Sequence, residues 1–236
     1  HLSIRRQRQM CIRDSNRTDR WNQIQKDFEN TQFNLIRYTG VIITDPAISR
    51  KDRGYIGVAK THQQLIQYAR DKNMKTILIL EDDCKPEPKF EEHWLIIKEY
   101  LDENLDSWEV FNGGICGVES ISKCIKIITN TDRLYIIKEK GGCFSHWLYL
   151  NVEAAYEKLM LWDVNKMEID LYYSHCFDHY TCFPLLAEQH SGYSDIGSRE
   201  KDWSMNFMMA KLSLRQHILG ICPCLLYTSP SPRDRG

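Results

Sequence analysis

Two periods of apolar positions run along this chain. In residues 18–29 (TDRWNQIQKDFE) Trp21, Ile24 and Phe28 recur at helical spacing. A short strand at 33–36 is expected next. Across 54–73 the set Ile56, Ala59, Ile66 and Ala69 marks a second helix, with His62 on the same face. Residues 76–80 then form an apolar run of strand length, too short for a buried helix of its own. Helix and strand alternate again through 90–101 and 108–111. Such alternation predicts an α/β layer fold with a mainly parallel central sheet.

The pattern changes further on. IKIIT (125–129), LYIIK (134–138) and FSHWLYL (144–150) are closely spaced strand candidates. Asn151 is placed to cap a helix through VEAAYEKLMLW, because its side-chain oxygen can accept from a first-turn amide. An α/β half followed by a more antiparallel half implies a nucleotide site joined to a substrate-facing region. No repeat, low-complexity tract or linker interrupts the run, so a single domain is expected. No stretch approaches the roughly 18 apolar residues of a membrane-spanning helix.

Composition alters this picture at the two ends. RRQRQMCIRDS (5–15) and CLLYTSPSPRD (224–234) match in-frame translations of the transposase adapters used to prepare DNA for sequencing. Residues 1–15 and 224–236 are therefore read as adapter-derived and set aside from fold reasoning, and they are expected to pack poorly. The domain is then 16–223, with its natural start and first strand cut off. Removing the ends takes Lys+Arg from 31 to 25 and Asp+Glu from 32 to 30, and the net charge from −1 to −5. That balance argues against a nucleic-acid partner, which calls for a basic stripe. Nine cysteines become seven, an odd number at irregular spacing, which reads as reduced thiols rather than a disulfide framework. A cytoplasmic location, free or at a membrane surface, fits such thiols, and a secretory lumen stays open while the start is missing.

The candidate chemistry begins where the strand of 76–80 runs into Glu81, Asp82 and Asp83. In doubly wound sheets ligands bind beyond the carboxyl ends of strands. Carboxylates fixed there can hold Mg²⁺ or Mn²⁺, and the ion can hold a diphosphate. An acidic loop or helix cap is the plainer reading of the triplet.

The blocks NRTDRW (16–21), GYIGVAKTHQQLIQYA (54–69), TILILEDDCKPEP (76–88) and HSGYSDI (190–196) occur in the order and spacing of glycosyltransferase family 25. The chain resembles that lipooligosaccharide-synthesis and collagen-galactosylation family over most of 16–196. The resemblance implies a GT-A-like, Rossmann-type nucleotide-binding fold and an inverting transferase that moves galactose or glucose from a nucleotide sugar, commonly UDP-linked, to a hydroxyl. The acceptor would be a glycan, lipid-linked or protein hydroxyl. By the same resemblance Asp82 and Asp83 bind the divalent cation. Arg17, Arg20, Gly57, His62, Glu81, Gln189 and Ser194 then serve the donor, with Thr61 where the family usually has Ser. Inversion needs a base for the acceptor proton. Asp170 is the first candidate and Asp195 the second.

Plainer roles compete at each position: a core histidine for His62, solvated helix-start arginines, a capping Asp170, a turn at Ser194 and Asp195. Cys176, His179 and Cys182, with His175, have zinc-compatible side chains but lack the second separated pair of a structural site. Two rival functions share the acidic cluster. A metal-dependent phosphodiesterase or nuclease would want more ligands around two metals. A catalytically inactive transferase-like binding domain would fold and turn nothing over.

Overall fold

The computed structural model describes residues 9–13, 17–128, 133–194 and 199–220, with side chains described for 17–127, 133–193 and 200–220. Strand β1 (Gln9–Arg13) precedes helix α1 (Thr18–Asp27), strand β2 (Leu35–Thr39) and helix α2 (Arg50–Asp71). Strands β3 (Thr76–Glu81) and β4 (Cys84–Pro86), helix α3 (Phe90–Glu103) and strand β5 (Val110–Asn112) follow. Next come β6 (Ser120–Ile128), β7 (Arg133–Lys140), β8 (Trp147–Asn151), α4 (Val152–Leu161) and α5 (Ile169–Cys176). The described chain ends with β9 (His179–Phe183), β10 (Ala187–Gln189), β11 (Gly192–Ser194), β12 (Arg199–Lys201) and α6 (Ser204–Leu219).

Local sequence accounts for the helix ends. Ser49 Oγ accepts from the Asp52 amide at the start of α2, at 3.1 Å. Asn151 Oδ1 accepts from the Ala154 amide and caps α4, while its Nδ2 donates to the Leu105 and Trp108 carbonyls.

Eight strands form one sheet in the order β2-β1-β3-β8-β5-β9-β7-β6. The pairings β1–β2, β1–β3 and β5–β9 are parallel. The pairings β3–β8, β8–β5, β9–β7 and β7–β6 are antiparallel. The expected mainly parallel sheet is thus corrected to a mixed one in which antiparallel pairs prevail. The cause is β8, which enters between β3 and β5 and runs against both. Those two strands would be neighbours in a simple wound sheet.

The core follows from the period of two. Leu78 and Leu80 of β3, with Trp147 and Tyr149 of β8, face α3 and its Trp94, Ile97 and Leu101. Ile77 and Ile79, with Leu148 and Leu150, face α2, α4 and α5 through Leu65, Ile66, Ala155 and Tyr173. Both faces are covered, which explains why these strands read as unbroken apolar runs. Trp147 is fully buried, with Phe28, Phe33, Phe90 and Trp94 ring centroids 5.6–6.2 Å from its own.

The position between β2 and β3, expected to have lost its strand, is occupied by the backbone of Gln9–Arg13. Part of the first end segment therefore lies in the sheet, contrary to the expectation of poor packing there. Residues 1–8, 14–16 and 221–236 lie outside the described residues, so the rest of the adapter reading does too. No helix among the described residues is long and apolar enough to cross a membrane.

Candidate active site

Glu81 ends β3, and Asp82 and Asp83 make the turn into β4. β3 is covered on both faces, so its carboxyl end is where its polar groups can meet solvent. A cavity of about 660 Å³ opens there. Arg17, Arg20, Gly57, Glu81, Asp82, Asp83, Asp170 and Gln189 all line it, brought from α1, α2, α5, β3 and β10.

Arg20 projects from α1 into the acidic end. Its Nη1 donates to Asp82 Oδ1 at 3.0 Å and Asp83 Oδ2 at 3.2 Å, and its Nη2 to the Tyr193 carbonyl at 2.7 Å. Burial acts to lower the guanidinium's pKa, but the Asp83 and Asp82 charges outweigh it and hold it above its ordinary value. Gln189 Nε2 donates to Asp83 Oδ2 at 2.6 Å, and the His190 amide donates to the Asp83 carbonyl at 2.7 Å. The other Asp83 oxygen, Oδ1, is buried without a hydrogen-bond partner, as is Gln189 Oε1. Hard oxygens left unpaired beside a carboxylate pair suit a divalent cation.

Glu81 sits differently from its neighbours. Burial pushes its carboxyl up to about 8, the Asp83 charge adds to this, and the hydrogen bond from Ser145 Oγ pulls back. Ser145 reaches Glu81 because β8 runs antiparallel to β3, with Leu80 opposite Trp147 and the Glu81 amide donating to the His146 carbonyl at 3.0 Å. The parallel-sheet expectation concealed that register, and with it Ser145. The cavity also takes in Arg50, Arg53 and Tyr55 from α2 and His190, none of them expected from the sequence. The signal for the α2 residues lay in GYIGVAKTH itself, whose upstream turn lies on the cavity side.

Gly57 and Thr61 hold one wall. Thr61 Oγ1 donates to the Gly57 carbonyl at 2.7 Å and accepts from the Val41 amide at 2.8 Å, so one hydroxyl ties the 40–43 loop to α2. A Cβ on Gly57 would stand 2.6 Å from the Val41 carbonyl oxygen, so this close approach requires glycine. Arg17 lines the cavity and pairs with Asp19 at 2.8 Å. Asp170 lies in the first turn of α5 and Oδ1 accepts from the Leu171 amide at 2.9 Å.

His62 is placed elsewhere. It is fully buried beneath the wall, with Nδ1 3.0 Å from the Tyr173 hydroxyl, and does not line the cavity. Burial lowers its pKa to about 3, so the ring is neutral. The apolar helix face on which it lies explains this. Ser194 lies in β11 but its side chain is outside the described residues, and Asp195 lies outside them altogether. The zinc-compatible cluster is divided by its strand. His179 and Cys182 point to opposite faces of β9, and His179 Nδ1 is bonded to buried Glu139.

No family model and no curated protein sequence matches the chain. Among solved structures it is similar to A197 from STIV, at 12% identity and a TM-score of 0.39, covering 82% of this chain and 92% of that one. It is also similar to a glycosyltransferase involved in the glycosylation of the major capsid of PBCV-1. There the identity is 12% and the TM-score 0.37, over 71% of this chain and 74% of that one. Similarity at this level carries no functional argument, and the mixed α/β architecture stands on the sheet itself.

Proposed function

We propose that the chain is a metal-dependent glycosyltransferase that moves a hexose, galactose or glucose, from a nucleotide-sugar donor such as a UDP-hexose to a hydroxyl acceptor with inversion. The observation that carries this reading is the single cavity at the end of β3. It combines arginines suited to phosphate, a carboxylate pair whose Asp83 Oδ1 is buried and unpaired beside the equally unpaired Gln189 Oε1, and a separate carboxylate at Asp170.

Asp82 and Asp83 would hold Mn²⁺ or Mg²⁺, and Asp83 Oδ1 and Gln189 Oε1 are the oxygens the structure leaves for it. Such a cation supplies charge for the departing diphosphate. Arg20, now between the two aspartates, would turn toward the phosphates as the cation takes its place, and Arg17 would stand beside it. The Gly57 wall leaves room for the donor. Asp170 would take the acceptor proton, because an inverting displacement needs a carboxylate within about 2.6–3.2 Å of the attacking hydroxyl.

Calorimetric titration of UDP into the protein tests the reading, first with Mn²⁺ and then with chelator, alongside Asp83→Asn. Metal-dependent binding lost in the variant is expected. Absence of binding to folded protein, or binding indifferent to metal, would overturn it.

A further inference from the structure

Beside the cavity, the loops after β5 and before β8 bring two thiols together. Cys116 and Cys143 form an isolated antiparallel bridge. They exchange both backbone hydrogen bonds, Cys116 N–H to the Cys143 carbonyl at 3.1 Å and Cys143 N–H to the Cys116 carbonyl at 3.0 Å. Residues paired in this way have Cα atoms about 5.5 Å apart. A disulfide spans Cα separations of about 4.4–6.8 Å with Cβ atoms about 3.5–4.5 Å apart, so the two loops must draw together by about 1 Å as the bond closes.

The side chains of such a pair share a face, which sets the two thiols beside each other. Cys143 Sγ also lies 3.4 Å from the Gly141 carbonyl. Both residues are half-buried, so a small reagent can reach them, whereas Cys84 and Cys182 are buried. Gly117 (φ 75°) and Gly141 (φ 90°) take left-handed conformations beside the bridge, which hold the two loops in register.

We propose that Cys116 and Cys143 are a redox-active dithiol that closes to a disulfide by exchange with a small-molecule disulfide such as oxidised glutathione. The Cys116 thiolate attacks one sulfur of the reagent, forming a mixed disulfide and releasing one small thiolate. Cys143, having lost its proton to solvent, attacks the Cys116 sulfur, forming the intramolecular bond and releasing the second small thiolate. The protein loses two electrons and two protons, and the reagent is reduced to two thiols. The order of attack agrees with the electrostatics. The neighbouring Cys143 thiol lowers the Cys116 pKa, and the Cys116 thiol, with burial, raises that of Cys143. The nearby Asp170 charge opposes both thiolates, and Glu139 also opposes that of Cys143. The inference does not depend on the transferase reading.

The test is to equilibrate the reduced full chain with glutathione buffers of increasing oxidised fraction, quench by alkylation, and map disulfide-linked peptides by mass spectrometry. A Cys116–Cys143 linked peptide is expected to accumulate as the oxidised fraction rises, while Cys84 and Cys182 remain alkylated thiols. In Cys143→Ser the resolving thiol is gone, so a glutathione adduct on Cys116 should persist about tenfold longer than in the unsubstituted protein. No linked peptide at any ratio, or equal adduct lifetimes in the two proteins, would overturn the proposal.

Discussion

His62→Gln probes the neutral, buried state of that histidine. The folded ring titrates at about 3 against 6.5 when unfolded, because burial disfavours the cation. Between those values the unfolded chain binds more protons than the folded one. The stability is therefore fully present above 6.5 and is lost as the pH falls toward 3. Lowering the pH from 7 to 5 should remove about 2 kcal/mol through this one group. His146, buried and lowered to about 4, acts in the same direction. Glu81, raised to about 8, acts in the opposite one. Both contribute equally to the two proteins, so the difference between them isolates His62. The assay is urea unfolding by tryptophan fluorescence at both pH values. The Gln variant should lose about 2 kcal/mol less than the parent on acidification. Equal losses would mean that His62 takes up a proton within the fold, and would refute its place in the dry core.

Two other substitutions probe the cavity. Gly57→Ala gains helix propensity but forces the Val41 carbonyl aside, so a net loss of about 1 kcal/mol by thermal unfolding is expected, with weaker UDP binding as the 40–43 loop shifts. Arg20→Met leaves Asp82 and Asp83 without their shared cation, and should cost about 2 kcal/mol in denaturant unfolding while making stability rise on addition of Mn²⁺.

The parts of the fold that depend on local spacing were legible in the sequence. The apolar faces of α1, α2 and α3, the β3 run and the Asn151 cap each follow from residues within a few positions of one another. The acidic end of β3 was legible for the same reason, since a strand that stops in carboxylates gathers them at its tip. What the spacing could not convey was pairing between distant segments. The unbroken apolar run of β8 fits a parallel or an antiparallel neighbour, and only the register brings Ser145 to Glu81. The Arg20 contacts join residues more than sixty positions apart and leave no periodic trace. His62 shows the limit of motif matching. Its position within GYIGVAKTH pointed to the ligand, whereas its apolar helix face pointed to the core where it lies.

The insertion of β8 between β3 and β5 also governs the order of assembly. Its register pairs Thr76 with Asn151 and Leu80 with Trp147, so the middle of the sheet waits for a segment synthesised long after β3. Contacts of such sequence separation slow folding, because the loop between them must be closed before any pairing repays the loss of chain entropy. A nascent chain that has not reached Ser145 has a Trp94 and a Leu80 without Trp147 and Tyr149, and a Glu81 without its hydroxyl partner. Until then the unsatisfied edge of β3 is exposed, and it is there that a stalled or shortened chain would first pair with another copy of itself.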